Sequence, residues 1–218
     1  MTAPTPPRYD KDNKERLPFE HYRARFAQLD PLEAADRCAL PYDPQTQEFT
    51  LRLMDRCYAV RWPEFTFRCV DQDPSGYLAL ESYFPSRTLV IRYLLEGRCV
   101  PPSGTFVTYR DVPWGEVYFR NFQGRCLARL AFGFGNRLED FRRGMERLHA
   151  APVPSGDAAY QLEFLDNLFV RFILWAGDEE FPPSSQILFS DNFPQAFTAE
   201  DMAVVGDIAI GTLKEIAK

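Results

Sequence analysis

Lysine is missing from the long middle of this 218-residue chain, with none between Lys14 and Lys214. From residue 172 to residue 213 there is no Lys, Arg or His at all. Histidine is limited to His21 and His149, so a zinc site would need both of them or cysteines gathered from distant segments. The five cysteines, Cys38, Cys57, Cys69, Cys99 and Cys126, never form a C-x-x-C pair. Scattered and odd in number, they read as free thiols of a reducing compartment. There is no P-loop, G-x-G-x-x-G, G-x-S-x-G or H-E-x-x-H, which removes the common phosphate-cradle, dinucleotide, serine-hydrolase and zincin readings. No run approaches the ~18 apolar residues of a membrane span. Residues 1–7 lack the apolar stretch of a signal peptide. The expectation is a soluble cytoplasmic chain with no membrane partner, no metal and no cofactor.

The charge that is present is divided by sign. Residues 172–213 hold seven acids, and without them 24 acids would face 25 bases. Residues 87–147 hold eleven Arg against six acids. One consequence is pairing of the two regions in the folded chain. The other is anion binding, because a guanidinium offers a rigid fork of donors to carboxylate or phosphate. Arg120, Arg125, Arg129 and Arg171 are the candidate ligand-binding residues. Nucleic acid is not an expected partner, since the net charge of −6 repels it and no basic recognition module is present.

Apolar periodicity predicts an α+β fold. Residues 1–17, rich in proline and charge, read as a mobile tail, and 18–218 as one domain. Phe19, Tyr22, Phe26 and Leu29 share a helical face, and Asp30-Pro31 opens a second helix. Alternation then predicts strands around Phe49–Leu53 and Tyr58–Trp62. A turn at Asp55-Arg56 would set Leu53 opposite Tyr58, with Phe65, Phe67 and Cys69 in a third strand. Asp73-Pro74-Ser75-Gly76 ends it. Further helices are expected over 86–96, over 115–134 on the stripe Phe119, Phe122, Cys126, Leu130 and Phe134, and from a capping box Asn136-Arg-Leu-Glu139. A last helix, apolar almost all round, starts at Thr198, with Gly206 and Gly211 allowing close packing. Between them come strands over 105–110, 160–165, 168–175 and 186–190, with a tight turn at Asp166-Asn167. Strands in hairpins favour a mainly antiparallel sheet, packed with about five to six helices, over a doubly wound one.

The acidic loop carries Asp178, Glu179 and Glu180, with Asp191 further on. In an extended chain Asp178 and Glu180 would point one way, where they could hold Mg²⁺ or Ca²⁺ or share acid–base work. Arg171 interrupts an otherwise apolar strand and needs an acid or water. Pairing Trp175 with Gln186 would place it by Asp191, with Glu163 as the other acid in reach.

Two segments, Ser103-Gly-Thr-Phe-Val-Thr-Tyr-Arg-Asp-Val-Pro-Trp-Gly-Glu116 and Trp175-Ala-Gly-Asp-Glu-Glu-Phe-Pro-Pro-Ser-Ser-Gln-Ile-Leu-Phe189, resemble an uncharacterised prokaryotic domain-of-unknown-function family. The resemblance runs from about residue 20 to 216. Members occur alone or fused behind iron–sulfur modules in anaerobes, which implies a link to anaerobic redox or cofactor metabolism. This chain lacks the N-terminal cysteine cluster of the fused members and should carry no iron–sulfur centre. No catalytic residue follows from the resemblance. Two functions therefore compete. One is a non-enzymatic binding or accessory protein for an anionic ligand or protein partner. The alternative is a divalent-metal-dependent hydrolase or transferase using the 178–180 loop.

The cysteine pattern yields one test. Titration of the denatured, unreduced chain with a thiol reagent should find all five thiols reactive, and a count of one or three would contradict the reading.

Overall fold

Period-two alternation builds the first hairpin from β2 (Glu48–Leu53) and β3 (Arg56–Arg61), whose apolar residues turn to one face. A computed structural model describes residues 13–71 and 76–218, so the expected tail up to residue 12 and the stop at Asp73-Pro74-Ser75 lie outside the described residues. The hairpin register differs from the expected one by two residues. Leu53 faces Arg56 and Leu51 faces Tyr58, because the turn is Met54-Asp55, both at positive φ. A shift of two keeps every side chain on its expected face. β4 (Thr66–Cys69) pairs with β3. Phe65 belongs to the preceding turn at φ 56, and its buried ring packs against Phe26 and Phe19.

The second group of strands is longer and more apolar. β7 (Ala158–Leu165) and β8 (Leu168–Trp175) close on the expected Asp166-Asn167 turn, with Asn167 at φ 60. β9 (Ser184–Ser190) follows β8, and β5 (Phe106–Thr108) lies beyond it at the edge. The described strands form one antiparallel sheet in the order β4-β3-β2-β7-β8-β9-β5, with β1 (Tyr42–Asp43) on β2 and β6 (Ala151–Pro152) on β7. The two groups meet at the pair Leu53–Leu165. An irregularity in β7 between Glu163 and Leu165 leaves the Phe164 carbonyl to accept from Met54 N at 2.9 Å. Asp166 accepts from Arg52 N at 2.7 Å and reinforces the same seam.

Helices cover one face. α1 (Asn13–Phe26) begins inside the segment expected as tail. α2 (Pro31–Cys38) has Asp30 as its cap, accepting from Leu32 N and Glu33 N. α3 (Ala79–Ser82) and α8 (Phe193–Ala196) are single turns that raise the helix number above expectation. α4 spans Phe84–Glu96. α5 (Gly115–Phe122) and α6 (Arg129–Phe134) run on from each other through a π-helical segment over 123–128. α7 (Leu138–Arg147) has no side-chain cap, and Asn136 turns its Oδ1 toward Gly177 instead of closing the expected box. α9 (Ala199–Ile216) opens on the Thr198–Asp201 capping box and is buried on almost every side. It is the central helix of the layer, which explains its apolar circumference.

The two glycines of α9 are not equivalent. A Cβ on Gly206 would stand 2.6 Å from Cys126 Sγ, whereas one on Gly211 meets nothing within 4 Å. Only Gly206 is needed for close packing. Gly206→Ala should therefore destabilise the fold by ~1–3 kcal/mol. Gly211→Ala should stabilise it by up to ~1 kcal/mol through helix propensity. Chemical denaturation midpoints moving in the same direction for both would contradict this packing.

Candidate functional site

Two of the four candidate arginines are spent on the fold. Arg125 and Arg129 lie one helical turn apart around the π segment and both donate to Asp207 on α9, Arg129 Nη1 at 2.7 Å. Asp207 is buried, and burial outweighs the two guanidiniums in pushing its carboxyl up from the ordinary range. The second buried acid of α9 is treated alike: Asp201 takes Arg92 Nη2 at 3.0 Å and the Thr198 hydroxyl at 2.6 Å. The acid-only segment is thus joined to the arginine-rich one at two points inside the helical layer. Arg120 is exposed and makes no ion pair among the described residues.

Arg171 differs from these. The expected register is shifted by two here as well, with Arg171 opposite Leu188 and Trp175 opposite Ser184. Neither expected acid meets it. Asp191 accepts from Ser103 N at 3.0 Å, and Glu163 accepts from Asn167 N at 2.9 Å. Arg171 Nε donates to Gln161 Oε1 at 3.0 Å, while its guanidinium lies 3.7 Å from the centre of the Phe106 ring. Among the described residues it has no ion-pair partner and no other hydrogen bond. Its terminal nitrogens are not enclosed, so they reach solvent. The β8 alternation explains the position: Leu168, Val170, Phe172 and Leu174 enter the helical face, and Phe169 and Arg171 look the other way.

The acidic loop is a turn, not an extended strand. Asp178 N donates to Phe181 O, and Asp178 Oδ1 accepts from Glu180 N at 2.9 Å and Phe181 N at 2.7 Å. These bonds hold the Asp178 carboxyl below its usual range. Glu179 and Glu180 are exposed, and Asp191 is engaged by Ser103. Among the described residues no three His, Cys, Asp or Glu side chains group where they could hold a metal ion. All five cysteines are free thiols. Burial pushes Cys38 up to about 11 and Cys126 up to about 12, which leaves both far from nucleophilic thiolates at neutral pH.

Sequence reasoning missed a cavity of about 370 Å³ at the free edge of β9. β5 ends at Thr108, opposite Leu188, because Thr108 and Asp111 form a capping box that turns the chain into a short 3₁₀ helix. Phe119, Phe122, Leu127, Trp175 and Ile187 wall the space that remains. Arg110 lies at the same cavity with its guanidinium 3.8 Å from the Phe119 ring centre. The Thr108-x-x-Asp111 spacing was the available signal that the strand stops early.

The architecture is that of an antiparallel α+β protein with its helices on one face of the sheet. The chain belongs to the family described as Domain of unknown function (DUF3786), whose model matches residues 30–212. No curated protein and no solved structure matches the chain. No helix among the described residues is long and apolar enough to cross a membrane.

The lowered Asp178 carboxyl has a signed consequence. Its folded pKa is depressed, so its contribution is present above the unfolded value of ~3.9 and is lost as pH falls through the folded value. Asp178→Ala should melt at a lower temperature than the parent at pH 7, with the gap narrowing as the pH is lowered through that range. A gap that widens toward acid would contradict the assignment.

Proposed function

We propose that this chain is a non-enzymatic binding or accessory protein for an anionic ligand or a protein partner, and that Arg171 makes the central contact. The observation that carries this reading is the state of that guanidinium. Gln161 fixes its Nε and Phe106 supports its plane, yet no carboxylate of the described residues neutralises it. An arginine so oriented has already lost much of its side-chain freedom, so a bidentate acceptor meets a fork that is set in advance. Thr108, Leu188, Arg171 and Gln161 form one cross-strand row on the face away from the helices. That row offers polar and apolar contacts around a single cation. Arg120 is a further exposed cation, whereas Arg125 and Arg129 act through Asp207 on the fold.

The proposal places this activity in one domain over 18–218, in the cytoplasm, and without nucleic acid as partner. It includes the prokaryotic setting and the link to anaerobic redox or cofactor metabolism that the family resemblance implies. The metal-dependent alternative would need carboxylates that converge, and Asp178 is instead bonded to the backbone of its own turn.

The test is equilibrium binding of inorganic phosphate, pyrophosphate and simple dicarboxylates to the purified chain. The parent should bind at least one of them saturably, and Arg171→Ala should weaken it by about tenfold to a hundredfold, the loss expected for a charge-assisted bidentate pair. Arg171→Lys should recover little, because an ammonium cannot present the fork. Equal affinity in parent and Arg171→Ala, or no saturable binding in the parent, would reject Arg171 as the contact.

A further inference from the structure

The cavity at the edge of β9 meets the Arg171 row at Thr108 but is lined by neither Arg171 nor Gln161, and three of its polar side chains are already engaged. Tyr109 donates its hydroxyl to Ala199 O at 2.6 Å, and burial pushes that phenol up to about 12, so it stays neutral. Thr108 Oγ1 donates to Asp111 at 2.7 Å. Ser185 Oγ donates to the Leu127 carbonyl at 2.7 Å, a carbonyl of the π-helical segment. Three lining groups remain with capacity to spare, the Trp175 indole N–H among them. Gln186 has no hydrogen bond among the described side chains, and Arg110 has only a loose contact with Glu116, Nε to Oε2 at 3.6 Å. That pair is mostly exposed on both sides, so water screens it and a ligand can displace it at small cost.

The rest of the wall is apolar and largely aromatic. Phe122 stacks on Tyr109 with ring centres 3.9 Å apart and planes at 5°, a rigid buried pair that underlies the cavity. Phe119 and Trp175 add two more rings, and Trp175 is partly exposed to solvent. The lining includes no carboxylate, histidine or thiol, so it contains no acid, base or nucleophile ready for chemistry at neutral pH. A cavity of ~150 Å³ accepts one benzene ring. The 370 Å³ present here holds about two such rings. A few well-placed polar groups in an apolar pocket of this size are the usual form of a small-molecule site.

The geometry points to a binding site for a flat aromatic carboxylate of one or two rings, its ring body between Phe119 and Trp175 and its carboxylate on Arg110. A ring meeting aromatic walls in offset or edge contact gains attraction beyond the area it buries. Arg110 supplies the charged fork at a position backed by Phe119, and Gln186 is placed to meet a second polar atom of the ligand. Glu116 is the internal competitor for Arg110. Beyond Thr108 the edge of β9 also has no strand beside it among the described residues, but a strand-adding peptide would use its backbone and would not depend on Arg110 meeting an aromatic acid.

The probes are 1-naphthoate, benzoate and uncharged 1-naphthalenemethanol, titrated calorimetrically and by Trp fluorescence. Saturable 1-naphthoate binding is expected, about tenfold weaker for the uncharged analogue and for Arg110→Met. Glu116→Gln should tighten binding by removing the competitor, a gain that a purely structural Glu116 would not produce. Arg110 is exposed, so its replacement should leave the fold intact, with the thermal transition as the check. Arg171→Ala should leave naphthoate affinity unchanged, which separates this site from the phosphate and dicarboxylate contact. Absence of saturable naphthoate binding, or equal binding by the alcohol, or by Arg110→Met, would overturn the assignment, including in favour of a peptide on the strand edge.

Discussion

Coverage of the sheet by helices on one side only is the constraint on which the other features depend. Along β7, β8 and β9 every second residue enters the helical layer and is buried, with Phe164, Phe172 and Phe189 fully enclosed. The intervening residues cannot be apolar throughout without leaving an exposed hydrophobic surface, so polar groups alternate in. Gln161, Arg171 and Gln186 occupy such positions. An arginine in the middle of a central strand would need a buried counter-ion in a sheet packed on both faces. Here it reaches water past a phenylalanine, and the fold needs no counter-ion for it.

The helical layer solves the opposite problem. α9 is surrounded by protein and yet carries Asp201 and Asp207 on its buried surface. Each buried acid is met by arginine from the basic half of the chain, Arg92 from α4 in one case and Arg125 with Arg129 in the other. Such pairs contribute less through net stabilisation than through specificity, since an unpartnered buried carboxylate would be strongly unfavourable in any other packing of α9. The π-helical segment widens the turn that holds Arg125, and Gly206 lets Cys126 approach α9. A register change of α9 would break all of these contacts together.

Much of this was legible in sequence because it is local. The Asp166-Asn167 turn, the Thr198 cap and the burial faces of β2 and β3 all follow from spacing and turn chemistry. The failures are of two kinds. Both strand registers were displaced by two residues, because Met54 at positive φ carries no turn signature and because the 178–183 loop folds into its own turn instead of extending. Both displacements preserve faces, which is why the core could be read and the partner of Arg171 could not. The pairing of Arg125 and Arg129 with Asp207 spans about eighty residues, and no local pattern encodes it. Charge segregation signalled that such pairs exist without saying which.

The cavity shows why a site can escape sequence reading altogether. It exists because a strand is too short: β5 pairs with β9 over three residues and then turns into a 3₁₀ helix. The chain returns as α5 at Gly115, whose absent Cβ lets it pass the Tyr109 carbonyl, where a side chain would approach to 1.8 Å. That tight return sets Phe119 across from the bare edge of β9, while Phe122 packs inward against Phe189 of the same strand. Residues that periodicity assigns to a helix stripe thus become the wall of a pocket, through geometry fixed by the loop before them. Their aromatic character serves the core on one side and an open space on the other, and only the end point of β5 decides how much of it is left for a ligand.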